Sequence, residues 1–156
     1  MIYAKASRLV DTGPARPFKR DTYTGTKVEL TGTDRRGLEQ LLRRRGPDGA
    51  KLSPLLSGLI RHKLRIADTV EGPAPNTLVS SGRLITYKIG GENARSGILT
   101  MSTMPFHGTI PVGSLLGATL IGLRRGQKTA LLQEDREIGS VVVLEIDLMD
   151  AGPTIP

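Results

Sequence analysis

The sequence predicts an α+β fold, a short N-terminal antiparallel helical hairpin followed by an antiparallel sheet that carries one short helix. Three observations predict it. Between residues 33 and 67 apolar side chains recur at spacings of three and four, the mark of amphipathic helices, with one break at Gly46-Pro47-Asp48-Gly49. From residue 84 onward the period becomes two, the mark of half-buried strands. Between the later strands lies a Leu- and Gly-rich stretch, 114–127, that reads as a single short helix and its exit turn.

Residues 1–30 mix Gly, Pro, Thr, Lys and Arg without a period and are expected to form a flexible basic arm, with a short strand at Lys27 to Leu30. The hairpin is placed at 31–68. Thr33 is the expected cap of its first helix, Asp34 suits the first turn, and Leu38, Leu41 and Leu42 form the stripe. Arg43-Arg44-Arg45 complements the helix C-terminus. Ser53 caps the second helix and Pro54 takes its first position. There Leu55, Leu56, Leu59, Ile60, Leu64 and Ala67 are expected on one apolar face. Two such helices joined by a short loop pack antiparallel.

Residues 69–76, with Glu71-Gly72-Pro73-Ala74-Pro75-Asn76, read as a linker, and 77–150 as a sheet domain with its own core. Ile85, Tyr87 and Ile89 alternate with Leu84, Thr86 and Lys88. A turn at 90–93 leads to a strand over Gly97 to Ser102. After the short helix come a strand over Lys128 to Gln133, a charged turn at 134–137, and a strand over Ser140 to Leu148. In the last, Val142, Leu144, Ile146 and Leu148 share one face, opposite Val143, Glu145 and Asp147. The tail, 151–156, is expected to fray.

Composition narrows the function. The 156 residues contain no Cys, so disulfides, thiolate nucleophiles and Cys metal sites are excluded. The first ten residues hold Lys5 and Arg8 and no apolar run of signal-peptide length. No segment approaches the roughly 20 apolar residues of a membrane span. The expectation is a cytoplasmic protein without a membrane partner. The net charge of +7 is uneven: six Lys/Arg against three Asp/Glu in 1–32, nine against three in 33–65, and seven against nine in 66–156. A basic front half either meets a polyanion or acidic protein surface or serves as a solvated face.

The stretch 114–127 carries the most functional information. Ser114 is an N-cap, and Leu116, Leu120 and Leu123 form an apolar stripe. Gly117 lies off that stripe and lets a neighbouring backbone approach. Gly122 sits where the stripe ends, and Gly126 can take positive φ before the strand at Lys128. This pattern resembles the Ser-Pro-Leu-Gly-x-Ala-Leu-Leu-Gly-x-x-x-Gly-Asp/Gln signature of the Gre-factor C-terminal domain, shared by GreA, GreB and the smaller regulator-of-nucleoside-diphosphate-kinase (Rnk) group. Over roughly residues 30–150 the order of elements is similar to Rnk proteins. So are the Thr-Asp-x-x-x-Leu-x-x-Leu-Leu run at Thr33 to Leu42 and the run ending at Ala67-Asp68.

The resemblance implies an FKBP-like C-terminal domain and a bacterial RNA polymerase-binding regulator acting near the secondary channel. In Gre factors an acidic pair at the coiled-coil tip helps hold a magnesium ion for transcript cleavage. Here the tip carries Arg43, Arg44, Arg45 and only one acid, Asp48. Three arginines repel a divalent cation, and one carboxylate is a poor clamp. A helix from Thr33 to Arg45 spans roughly 20 Å at about 1.5 Å per residue, too short for a deep channel. The expectation is a non-catalytic regulator without cleavage activity. The rim contact of Gre proteins uses an Asp-Ser-Pro triplet at the entry to the signature helix. Ser114 matches its Ser, with Gly113 at the Asp and Leu115 at the Pro. Ser114 is equally explained as a helix cap. As a docking edge, Gly113, Ser114 and Leu115 would need Leu115 exposed.

Other constellations point away from catalysis and cofactors. Gly122 to Thr129 is one residue short of a phosphate loop and leads into a strand rather than a helix. His62 and His107 lack a sequence-local metal partner, and no nucleophile elbow surrounds a Ser. The FKBP-like label suggests prolyl isomerisation, but Tyr87 and Phe106 are a thin supply for an aromatic pocket. A helix-turn-helix is disfavoured by the long connection from Gly46 to Leu52. The alternative reading is a basic nucleic-acid-associated or general protein-interaction module that has lost polymerase binding. Arg35, Arg36, Arg43, Arg44 and Arg45 would then make non-specific phosphate contacts.

Overall fold

The computed structural model describes residues 27–44, 52–102, 106–133, 135 and 137–148. Most of the arm, Arg45 and Asp48 at the hairpin tip, and the tail lie outside the described residues. Strand β1 (Glu29–Thr31) runs directly into α1 (Gly32–Arg43). Thr31 is the N-cap, its hydroxyl accepting from the Asp34 N–H at 3.1 Å. The cap is thus two residues earlier than Thr33, because Thr31 ends a strand in the extended geometry a cap requires. Helix α2 (Pro54–Ile66) opens as expected, Ser53 accepting from the Leu56 N–H at 3.2 Å. Leu56 and Ile60 are buried, while Leu55 is exposed, off the packed face.

The two helices are antiparallel. Arg35, in the first turns of α1, donates from Nη1 to the Leu64 carbonyl and from Nη2 to the Ala67 carbonyl, both at 3.0 Å. These carbonyls end α2, where intrahelical partners run out. The chain then enters β2 (Asp68–Val70), which pairs in parallel with β1. This strand covers the first residues of the stretch that the composition marks as a linker. The end of that stretch is held by Arg83, which donates to the Ala74, Pro75 and Leu78 carbonyls.

The main sheet contains β3 (Leu84–Ile89), β4 (Arg95–Thr100), β5 (Thr109–Pro111), β6 (Lys128–Leu132) and β7 (Ile138–Asp147), with α3 (Leu115–Leu120) between β5 and β6. Among the described residues the spatial order is β5-β4-β3-β7-β6. Three pairings are antiparallel, but β5 joins β4 in parallel, with Leu99 opposite Ile110. The sheet is therefore mixed rather than antiparallel throughout. The loop from β4 does not fold back as a hairpin; Gly97, without a side chain, leaves room for Ile110 to lie across β4.

The faces of β7 also differ from the simple alternation. Thr86 pairs with Glu145 but Tyr87 pairs with Val143, so Leu144 is an extra residue in a β-bulge. Parity changes there. Val141 and Val143 are buried with Ile85 and Tyr87, and Ile146 is partly buried, while Leu144 and Leu148 are exposed. A Val-Val-Val run is apolar on both faces, so hydropathy alone could not choose between them.

One buried cluster unites these parts. It runs from Val28, Leu30, Leu38 and Leu41 through Leu56 and Ile60 to Leu99, Leu120 and Val143. Helix α3 sits in its middle and is shorter than the stripe suggested. Leu120 is its last residue and Ile121 its cap, so the buried Leu123 belongs to the following turn. Gly117 is where the backbone comes closest: a Cβ built there would stand 2.0 Å from the Pro111 carbonyl oxygen. We therefore expect Gly117→Ala to cost about 3 kcal/mol or more in urea unfolding, since backbone rather than a mobile side chain must yield. Gly113→Ala, whose Cβ would meet only Leu41 at 4.0 Å, should leave the midpoint nearly unchanged.

Candidate docking site at the entry to the short helix

The segment Gly113-Ser114-Leu115 is a tight corner between β5 and α3. Ser114 is extended, with φ −120° and ψ 163°, and its hydroxyl works twice. It accepts from the Gly117 N–H at 3.1 Å and donates to the Pro111 carbonyl at 2.7 Å. Its hydrogen-bonding capacity within the fold is thus accounted for as a cap. Gly113 faces Leu41 of α1, which brings the last turn of α1 to the entry of α3. Arg43 and Arg44 follow on that turn, and both are exposed. The structure therefore places Gly113 and Ser114 near the described end of the arginine run.

Leu115 does not fit the expected exposed edge. It is 7% exposed and belongs to the core cluster, whereas Leu116, expected in the buried stripe, is only partly buried. In the six-residue helix Leu115 turns toward the core cluster that also holds Leu131, with Ile89 packed against it. An open concavity of about 520 Å³ lies over this corner. Leu115, Leu116, Leu131 and Leu132 form its floor, and Glu92, Arg95 and Asp135 its charged rim. Glu92 and Arg95 are paired across 3.2 Å with both side chains more than half exposed, so the pair shapes the rim more than it stabilises the fold.

The other end of α3 is closed by a cation. Lys63 of α2 is 6% exposed and donates from Nζ to the Thr119 and Ile121 carbonyls, both at 2.7 Å. Burial pushes its ammonium down to about 7, desolvation being the cause. A signal for it was present in the sequence, because Lys63 follows Leu56 by seven residues and Leu59 by four, on the apolar face of α2. Asp34 has the same signature relative to Leu38 and Leu41. It is 1% exposed and accepts from the Ser80 and Ser81 hydroxyls at 2.6 and 2.7 Å.

A third junction forms at Gly122. With φ +92° it bends the chain so that its N–H donates to the Val79 carbonyl while its own carbonyl accepts from the Glu29 N–H. Beside it Arg124 donates to the Glu29 carboxylate at 2.7 Å and to the Thr77 hydroxyl at 2.6 Å. That hydrogen bond holds Glu29 below the usual carboxylate range. The stretch 114–127 is therefore the meeting point of hairpin, linker and sheet. Among the described residues no group of three His, Cys, Asp or Glu could hold a metal ion. No helix there is long and apolar enough to cross a membrane.

No family model and no curated protein sequence matches the chain significantly. Solved structures do. The prokaryotic transcription elongation factor GreA/GreB from Nitrosomonas europaea is similar with a TM-score of 0.56 and 18% identity, over 78% of this chain and 98% of that one. The fold is Gre-like. The Gfh1 protein of Thermus aquaticus is also similar, with a TM-score of 0.39 and 15% identity, over 78% of this chain and 99% of that one.

Two outcomes follow from this geometry. Leu115→Asp should destabilise the protein by more than about 3 kcal/mol in chemical unfolding, because it buries a carboxylate without a partner. Lys63 governs a pH dependence. Its folded-state value of about 7 lies below the ordinary 10.5, so between these values the unfolded chain binds more protons. Stability therefore rises with pH across that window, and the full desolvation cost is present below pH 7. Urea unfolding at pH 7 and pH 9 should show the wild type gaining on Lys63→Met by up to roughly 1.4 kcal/mol per pH unit.

Proposed function

We propose that this protein is a non-catalytic regulator of the Rnk type, which binds bacterial RNA polymerase near the secondary channel and acts in the cytoplasm. The observation that supports it best is the Ser114–Gln127 signature. In a Gre-like fold it forms the short helix and turn that join hairpin, linker and sheet. A solved structure with a similar fold is a transcription elongation factor by name. The corner at Gly113 and Ser114, with the charged-rim concavity beside it, is the docking surface of this reading. Because Leu115 is inside the core, apolar contact there falls to the partly exposed Leu116.

The proposal excludes transcript cleavage. Helix α1 has 12 residues, a length of roughly 18 Å at about 1.5 Å per residue. The arginine-rich tip, with Asp48 as its one acid, is a poor magnesium clamp. The nucleic-acid reading rests on the exposed residues Arg36, Arg43, Arg44, Arg61 and Arg65 of the hairpin. Salt separates the two readings, since a phosphate-dominated complex weakens steeply as salt rises.

The test is direct binding of the purified protein to nuclease-treated bacterial RNA polymerase across a salt series, with a stalled elongation complex assayed in parallel. Polymerase should be retained with a shallow salt dependence, and no shortened RNA should appear with magnesium. Release of 3′ fragments at stoichiometric protein would sink the non-catalytic claim. Binding that follows added nucleic acid instead of polymerase would favour the alternative.

A further inference from the structure

A second cavity, of about 300 Å³, is lined by Lys63 of α2 and by Thr119 near the end of α3. This is at the lower end of the size range of small-molecule sites, roughly 300–1,000 Å³. Its walls are apolar: Leu59 and Ile66 from α2, Leu132 and Ile138 from the sheet, and Val28 and Leu123 from the junction. Ile66, Ala130 and Ile138 are exposed at its rim, so the cavity opens to solvent.

Among the described residues the titratable groups lining it are Lys63 and His62, and none of them is an acid. An ammonium has three N–H donors. The Thr119 and Ile121 carbonyls take two of them, and among the described residues no acceptor takes the third. His62 adds a further donor. Arg65 Nη2 lies 2.9 Å from His62 Nδ1. Since arginine only donates, Nδ1 accepts and the ring proton sits on Nε2.

We propose that this cavity binds a small aliphatic monocarboxylate, its head on the Lys63 ammonium and its chain along the Leu59, Ile66, Leu132 and Ile138 walls. The walls select an apolar body, and the third N–H of the buried ammonium, without an acceptor among the described residues, selects an anionic head. A phosphate would bury more acceptor oxygens than two donors can satisfy, which disfavours it. The ligand bridges α2 of the hairpin and the β6–β7 end of the sheet, so its binding adds to folding stability. No residue of the cavity lies at the Gly113–Leu115 corner; Leu132 is the one residue it shares with the docking concavity, and the Lys63 head site belongs to this cavity alone.

Thermal unfolding of the full chain with hexanoate, acetate and 1-hexanol tests it. Hexanoate at about ten times its Kd should raise the midpoint by roughly 4 °C or more, while acetate and 1-hexanol at the same concentration should not. Lys63→Met should remove the response. Ala130→Phe, a change at an exposed rim position, should weaken hexanoate at least tenfold without lowering the ligand-free midpoint, which separates blocked binding from unfolding. A hexanoate response that survives in Lys63→Met overturns the proposal. So does an equal response to acetate or to 1-hexanol, or no response to hexanoate at all.

Discussion

A relay of cations closing helix ends holds this molecule together. The last carbonyls of a helix have no intrahelical partner, and burying them unpaired is costly. Arg35 of α1 reaches the carbonyls that end α2, and Lys63 of α2 reaches those that end α3. Helices α2 and α3 thus each depend on the preceding helix for partners at their C-termini. A cation there also meets the negative end of the helix dipole. The cost falls on Lys63, whose ammonium is desolvated. What it secures is register: α2 can sit on the sheet in one way only, with Lys63 over Thr119 and Ile121.

This relay changes the meaning of the charge balance. The front half is rich in Lys and Arg, and a count alone puts all of them on the outside, facing a partner or solvent. Arg35 and Lys63 are instead internal, and Arg83 and Arg124 pin the stretch 74–78 and the Glu29 strand. Those four cations are engaged before any partner arrives. Among the described residues of the hairpin, the exposed cations that a partner would meet are Arg36, Arg43, Arg44, Arg61 and Arg65. Such charges act mainly on encounter rate and on the choice of partner.

The elements whose chemistry is local were legible from residues alone. Ser53 before Pro54, Ser114 before the Leu-Leu-Gly run, and the alternation of Ile85, Tyr87 and Ile89 each report a short-range constraint. Features set at a distance were not. The bulge at Leu144 exists because β3 and β7 must both cover the core, and nothing within Val-Val-Val encodes it. The parallel placement of β5 depends on Gly97 and Ile110 meeting across strands. An exposed Leu115 follows from a stripe through Leu116, Leu120 and Leu123 only in a helix long enough to carry that stripe, and the helix stops at Leu120. Lys63 and Asp34 were visible as polar residues on apolar faces, but their partners lie 46 to 58 residues away.

The burial of Leu115 also constrains how the docking corner can work. Ser114 has spent its hydroxyl on Gly117 and Pro111, and Gly113 offers only backbone. Recognition at this corner therefore cannot rest on the side chains of the triplet position itself. It must come from the shape of the concavity and from the charges around it, with Glu92, Arg95 and Asp135 on the rim and Leu116 at the floor. Rim charges in solvent contribute little affinity but discriminate well between partners. A partner that fits would bring complementary charge to both the Arg95 and the Asp135 side and an apolar group to Leu116. Gly117 packs closely on the Pro111 backbone and Ser114 bonds to both, and a corner ordered by such contacts loses little entropy when a partner binds.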